Sequence, residues 1–156
     1  MPIPLLLDSN ILTCVLRPEV AENHEVAQAM IAVLGNPQFE LFVPEVIDYE
    51  LRRKLLHLGQ HQHHARKWAR EALALLDELV GVGYIPLTTF AMRLAAELWA
   101  KTRAEGRLRG TEVSLDVDVI LAAQAKQVGG QIVTMNEKHF RGMVEVFDWR
   151  CSPSIG

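Results

Sequence analysis

The run Ile3-Pro4-Leu5-Leu6-Leu7 is apolar without alternation and stops abruptly at Asp8-Ser9-Asn10. A short unbroken run with a polar stop suits a parallel strand buried on both faces, because a half-exposed strand would alternate. Such a strand needs helices on both sides, so the first residues already point to an α/β fold. The remaining patterning agrees. A helix is expected from Asn10 to about Leu16, where Arg17-Pro18 breaks it, and another from about Ala21 to Leu34. Glu40 to Val43 reads as a short strand. Pro44 then opens a helix from Glu45 to about Leu58, with Ile47, Leu51 and Leu55 on one stripe and Gly59 ending it. Further helices are expected over about Gln62 to Leu79 and, capped by Thr88 or Thr89, through Ala104. Strand Tyr84 to Leu87 lies between them. A polar loop, Arg107 to Ser114, precedes an apolar helix over Val117 to Val128, with Asp116 as its N-cap. Strand Gln131 to Thr134, a helical turn around Glu137 to Phe140 and a strand near Val144 to Phe147 follow. Short strands alternating with longer helices imply a mainly parallel sheet with right-handed crossovers.

At 156 residues the chain has the length of one domain, which can bury roughly two-thirds of its unfolded surface. Residues 1–150 are read as one domain and 151–156 as a short C-terminal tail. With 49 % hydrophobic and 22 % charged residues, neither a disordered chain nor a disulfide scaffold fits. The 16 Lys and Arg against 19 Asp and Glu exclude a protein that is basic overall. Any polyanion partner must therefore be held by a local basic patch or by metal ions. Cys14 and Cys151 form neither a framework nor a zinc spacing, so a reducing cytoplasm is expected. The N-terminal run is too short for a secretory signal, and no apolar stretch of about 20 residues is present to span a membrane.

In open parallel sheets ligands bind at the carboxyl ends of the strands. Asp8 follows the first strand, Glu50 lies on the helix after the second, Asp116 and Asp118 open the apolar helix, and Thr134 and Asn136 follow the next strand. Each has a bland reading. Asp8 can cap a helix, Glu50 can pair with Lys54 one turn on, Asp116 and Asp118 can serve a helix start, and Asn136 can be a turn residue. Independent caps have no reason to gather at one end of a sheet, however. Neighbouring carboxylates repel, and burial makes each charge costly. A hard divalent cation resolves that conflict: Mg2+ and Mn2+ take oxygen ligands, and no set of His and Cys accompanies these acids to suit zinc. Such a cation activates water and neutralises phosphoryl oxygens, which suits phosphodiester hydrolysis.

Four segments carry a resemblance: Leu5-Leu6-Leu7-Asp8-Ser9-Asn10, the stretch from Val43 to Leu51, Asp116-Val117-Asp118-Val119-Ile120-Leu121-Ala122-Ala123-Gln124-Ala125, and the stretch from Ile132 to Phe140. In this order they resemble the PIN-domain nucleases, in particular the VapC-like toxins of bacterial toxin–antitoxin pairs. The resemblance implies a three-layer α/β/α sandwich and endoribonuclease activity dependent on Mg2+ or Mn2+, with one or two ions. It also implies a 5′-phosphate and a free 3′-hydroxyl as products. Asp8, Glu50 and Asp118 match the family's metal-binding acids, Asp116 an acid often found just before the third, and Thr134 a supporting hydroxyl. Asn136 stands where related proteins often have Asp, which removes one charge. A cognate antitoxin and a homodimer are the partners implied.

Arg52, Arg53, Lys54 and Arg66, with Lys67 and Arg70, make a basic stretch free of acids between Glu50 and Glu71. It reads either as an RNA-binding arm or as the solvated face of two helices. Arg103, Arg107 and Arg109 form a second basic candidate. His57, His61 and His64 share a helix face only if the helix continues through Gly59, and an exposed His-rich turn fits them better than a metal site. Trp68 and Trp99 are expected in core or dimer contacts. Two other functions remain open: a PIN-fold binding module without turnover, and a phosphatase with Asp8 as nucleophile. The phosphatase would need an acid where Asn10 stands.

Overall fold

A computed structural model describes residues 1–106 and 112–151, with side chains for all of these except 112–114. In chain order it contains β1 (Ile3–Leu7), α1 (Ser9–Leu16), α2 (His24–Leu34), β2 (Phe39–Pro44), α3 (Glu45–His61) and α4 (Arg66–Val82). There follow β3 (Tyr84–Ile85), α5 (Thr89–Ala104), α6 (Glu112–Val128), β4 (Gln131–Val133) and β5 (Val146–Phe147). Single 3₁₀ turns cover Ala21–Asn23, His63–Ala65, Glu137–Phe140 and Trp149–Cys151.

All the strands pair in parallel, in the order β3-β2-β1-β4-β5. β1 is central, with Leu5 beside Leu41 on one flank and beside Gln131 on the other. Its Leu5 and Leu6 are wholly buried, which accounts for the missing alternation. α2 and α4 pack on β2, whereas α6 packs on β1 and β4. With right-handed crossovers, the helices between β1 and β3 cover one face and α5 and α6 the other, giving three layers. None of the described helices is long and apolar enough to cross a membrane.

The strand order reverses beside β1. The chain first builds outward through β2 and β3, then returns to lay β4 on the opposite flank. Connections therefore diverge at the carboxyl ends of β1 and β4 and leave a crevice there. The Asp8 N–H donates to the Val133 carbonyl at 3.0 Å, so the two strand ends stay joined at its floor.

Several element boundaries differ from the sequence reading. α3 does not stop at Gly59 but runs to His61, because that turn packs against α4 and a mid-helix glycine costs only about 1 kcal/mol. α4 starts at Arg66, after a separate 3₁₀ turn, and ends at Val82. α1 starts at Ser9 with Asp8 as its cap. α6 begins at Glu112, so the end of the expected polar loop is helical and Asp116 lies inside the helix instead of capping it. Residues 107–111 of that loop, with Arg107 and Arg109, lie outside the described residues, as do residues 152–156 of the tail.

Two polar ties align the helices that border the crevice. Gln124 of α6 is wholly buried; its amide donates to the Ile85 carbonyl at 2.8 Å and accepts from the Val46 N–H of α3 at 3.5 Å. Glu45 at the start of α3 accepts from the Tyr84 hydroxyl at 2.8 Å and from the Leu87 N–H at 3.1 Å. Both satisfy backbone groups that would otherwise be lost at the edge of the sheet.

β4 reaches β1 through Gly129-Gly130. Gly129 has φ +66°, and a Cβ on Gly130 would lie 2.7 Å from the Pro4 carbonyl oxygen. Gly130→Ala must therefore push β4 away from β1. We expect a loss of about 1–3 kcal/mol, measured as a lower urea midpoint with an unchanged slope.

Candidate functional site

Asp8, at the end of β1, is 6 % exposed. One carboxylate oxygen accepts from the Ser9 N–H at 2.7 Å, and the other accepts from the Thr134 hydroxyl at 2.6 Å. The wholly buried Thr134 oxygen accepts in turn from the Asn136 N–H at 3.0 Å and from the Asn10 amide at 3.4 Å. Asn10 also accepts from the Met135 N–H at 3.2 Å. The helix-cap and site readings of Asp8 are thus both met, since a carboxylate offers about four lone-pair positions. Burial raises the Asp8 carboxyl above the usual carboxylate range, against the lowering effect of Thr134 and Ser9, and the charge of Glu50 raises it further.

Glu50 enters from α3, its side chain only 13 % exposed, with the Lys54 ammonium 3.3 Å away. Asp118 enters from α6, 16 % exposed, with His139 Nδ1 at 3.1 Å. Burial pushes the Asp118 carboxyl up to about 7, and the charges of Asp8 and Glu50 act in the same direction. Three carboxylates far apart along the chain therefore lie in one another's field. Each has a neighbour that holds it: Thr134 for Asp8, Lys54 for Glu50 and His139 for Asp118. With the side chains so held, no group of three or more His, Cys, Asp or Glu among the described residues forms a ready metal-binding set. The donor chemistry still fits a hard cation. Carboxylate oxygens are the donors such a cation takes, and the raised Asp8 and Asp118 carboxyls mark a place short of positive charge.

Asp116 is not brought into this cluster. It is exposed and borders a groove between α5 and α6 with Met92, Ala95, Trp99 and Ile120. Two residues along a helix turn the chain by about 200°, so acids two apart point to different faces. Asn136 contributes its backbone N–H to Thr134, whereas its exposed side chain lines a surface groove with Lys138 and Arg150.

The basic stretch on α3 and α4 is largely engaged. Arg52 pairs with Asp48 and Asp77, each at 2.8 Å, and so braces α3 against α4. Lys54 sits on Glu50, Arg66 donates to the Gly59 carbonyl at 3.3 Å, and Arg53 lies over the Tyr49 ring at 5.1 Å. The His57 and His61 rings meet at a tilt, 4.4 Å between centroids, on the exposed end of α3, with His64 in the next turn. Trp68 and Trp99 are partly buried against the core, under the guanidinium groups of Arg17 and Arg103 respectively.

Sequence reasoning missed His139, Asn10, Gln124 and Glu45. A histidine does accompany the acids, on the turn after β4. Its only sequence signal was its place beyond a strand end, immediately before Phe140. Asn10 carried a signal as well, standing two residues after Asp8, but which groups it bonds is a matter of tertiary contact.

An acidic crevice at the switch point of an all-parallel, three-layer sheet defines the class of this protein. The family model for the PIN domain matches residues 5–144, and the chain belongs to that family, whose members are generally nucleases. Solved structures share the fold. A chain of FitAcB from Neisseria gonorrhoeae superposes with a TM-score of 0.70 at 21 % identity, covering 94 % of this chain and 99 % of that one. A chain of VapBC2 from Rickettsia felis, solved bound to a promoter DNA fragment, gives 0.68 at 14 % identity, with 94 % and 99 % covered. VapBC-1 from nontypeable Haemophilus influenzae gives 0.68 at 15 % identity, with 95 % and 99 % covered. No curated protein matches the chain in sequence.

The Asp118 carboxyl gives a pH test with a defined sign. The folded protein holds this proton more tightly than the unfolded chain, where the value is near 3.8. The stability it contributes is therefore complete below that pH and is lost as pH rises through about 7. We expect the Tm of metal-free protein to fall from pH 5 to pH 8. Mn2+ should restore it at pH 8 far more than at pH 5, and Asp118→Asn should flatten the profile; differential scanning calorimetry measures all three.

Proposed function

We propose that this protein is a metal-dependent endoribonuclease and the toxin member of a toxin–antitoxin pair. The convergence of Asp8, Glu50 and Asp118 from β1, α3 and α6 carries this reading. These three acids would hold Mg2+ or Mn2+. A bound ion supplies positive charge for phosphoryl oxygens and lowers the pKa of water.

The chain's own groups set that arrangement up. Thr134 orients one oxygen of Asp8 and leaves the remaining lone pairs of the carboxylate available. Asn10 and the Asn136 N–H fix the Thr134 hydroxyl so that its proton points to Asp8. Lys54 pairs with Glu50 and His139 Nδ1 lies 3.1 Å from Asp118, so both side chains would turn toward phosphate when a cation takes their place. Asp116 and Asn136, directed elsewhere, assist at most from outside this set. Of the basic arm, Arg53 and Lys54 stay exposed near Glu50, whereas Arg52 and Arg66 serve the helices.

The structural likeness to chains from VapBC and FitAcB complexes supports a cognate antitoxin as partner. A homodimer and cytoplasmic residence complete the proposal. An aspartyl-phosphatase would need an acid at Asn10, and that amide instead accepts from the Met135 N–H. A binding module without turnover is favoured only by the amide at Asn136.

The test is cleavage of a single-stranded RNA pool with Mn2+ or Mg2+. EDTA should abolish it. Losing an outer-shell partner costs about 10- to 100-fold, so Thr134→Val should fall in that range and Asp8→Asn beyond it. RNA that is bound but never cut in Mn2+ would establish the binding module instead.

A further inference from the structure

The cleft beside Asp118, about 400 Å³, is lined by His139, Lys138, Arg141 and Met143. A second groove of about 430 Å³ is lined by Lys138, His139 and Arg141 again, with Asn136, Glu137 and Arg150. The two share Lys138, His139 and Arg141 in their walls and so adjoin, a channel in two parts. Its cations come from the 3₁₀ turn after β4 and from the turn after β5, both at the edge of the sheet beyond the switch point. Among the described residues, Glu137 is the only carboxylate lining the outer groove. Lys138 has no hydrogen-bond or ion-pair partner among the described residues. In the α3–α4 arm, Arg52, Lys54 and Arg66 are held by Asp77, Glu50 and the Gly59 carbonyl.

We propose that this channel is the track for single-stranded RNA, with successive phosphates on Lys138 and Arg150 and the chain led past His139 to the acid cluster. The proposal rests on the nuclease reading above. Exposed cations in a groove hold a phosphate backbone whatever its sequence. A groove that opens on the carboxylate crevice suits a polyanion that must reach that crevice. An acidic protein segment would gain nothing by being led toward three further carboxylates.

Lys138 and Arg150 are both exposed, so Lys138→Ala/Arg150→Ala should leave Tm unchanged. The experiment is fluorescence anisotropy with a labelled single-stranded RNA in EDTA, across a salt series, on the full chain. The double variant should bind roughly tenfold more weakly, with the salt slope reduced by about 1.4, or about 0.7 for each lost phosphate contact. Lys67→Ala/Arg70→Ala, on α4, should keep both affinity and slope. An unchanged affinity and slope in the channel variant overturns the track, as does a wild-type protein that fails to bind RNA. Polyglutamate binding as tightly as RNA, with the same loss in the channel variant, overturns it in favour of an acidic protein partner. A parallel cleavage assay in Mn2+ separates the two readings. Channel-dependent binding without cleavage keeps the track and removes the nuclease. Cleavage with channel-independent binding does the reverse.

Discussion

Three carboxylates withdrawn together from water are the constraint around which this molecule is arranged. Burial and mutual repulsion both favour the neutral acid, and Asp118, held near 7, registers their sum. A sheet that merely needed helix caps would not accept that cost at one place. The fold instead gives each acid a side-chain partner, from a hydroxyl, an ammonium and an imidazole, and Asp8 the Ser9 N–H as well. The Thr134 bond to Asp8 is buried, whereas Lys54 and His139 are both exposed at the rim.

That arrangement depends on groups remote from the acids. Gln124 sets α6 against both the end of β3 and the start of α3, so Asp118 and Glu50 approach from opposite layers at a defined height. Gly130 lets β4 lie close against β1, which brings Thr134 to Asp8. The Thr134 hydroxyl has one proton to give. With Asn136 N–H and Asn10 both donating to its oxygen, that proton is directed to the carboxylate. Membership of the PIN family and the shared fold of VapBC and FitAcB chains follow from this frame, while its rim of charges belongs to this sequence.

Much of the frame was legible because its signals are local. The unbroken Ile3–Leu7 run, the Thr88 cap of α5 and the Gly129-Gly130 turn each act within a few residues. Asp8 and Thr134 were legible for a related reason: each sits just beyond a strand end, where parallel sheets collect function, whereas Glu50 and Asp118 lie within α3 and α6 and drew notice through the resemblance of their segments. Boundaries were less legible. Gly59 reads as a stop, yet packing of α3 on α4 outweighs its intrinsic preference. Asp116 reads as a cap because its helix was begun too late, and with the true start it rotates out of the cluster.

By itself the sequence determined the class of fold and the parallel central strand that ends at Asp8, because hydrophobic pattern and strand-end position are properties of short segments. Only the tertiary structure decided which charges reach the crevice. It removed Asp116 and Arg52, added His139, and gathered Lys138 and Arg150 into one groove. Such choices depend on helix phase and on contacts between residues more than a hundred positions apart, which no local pattern encodes.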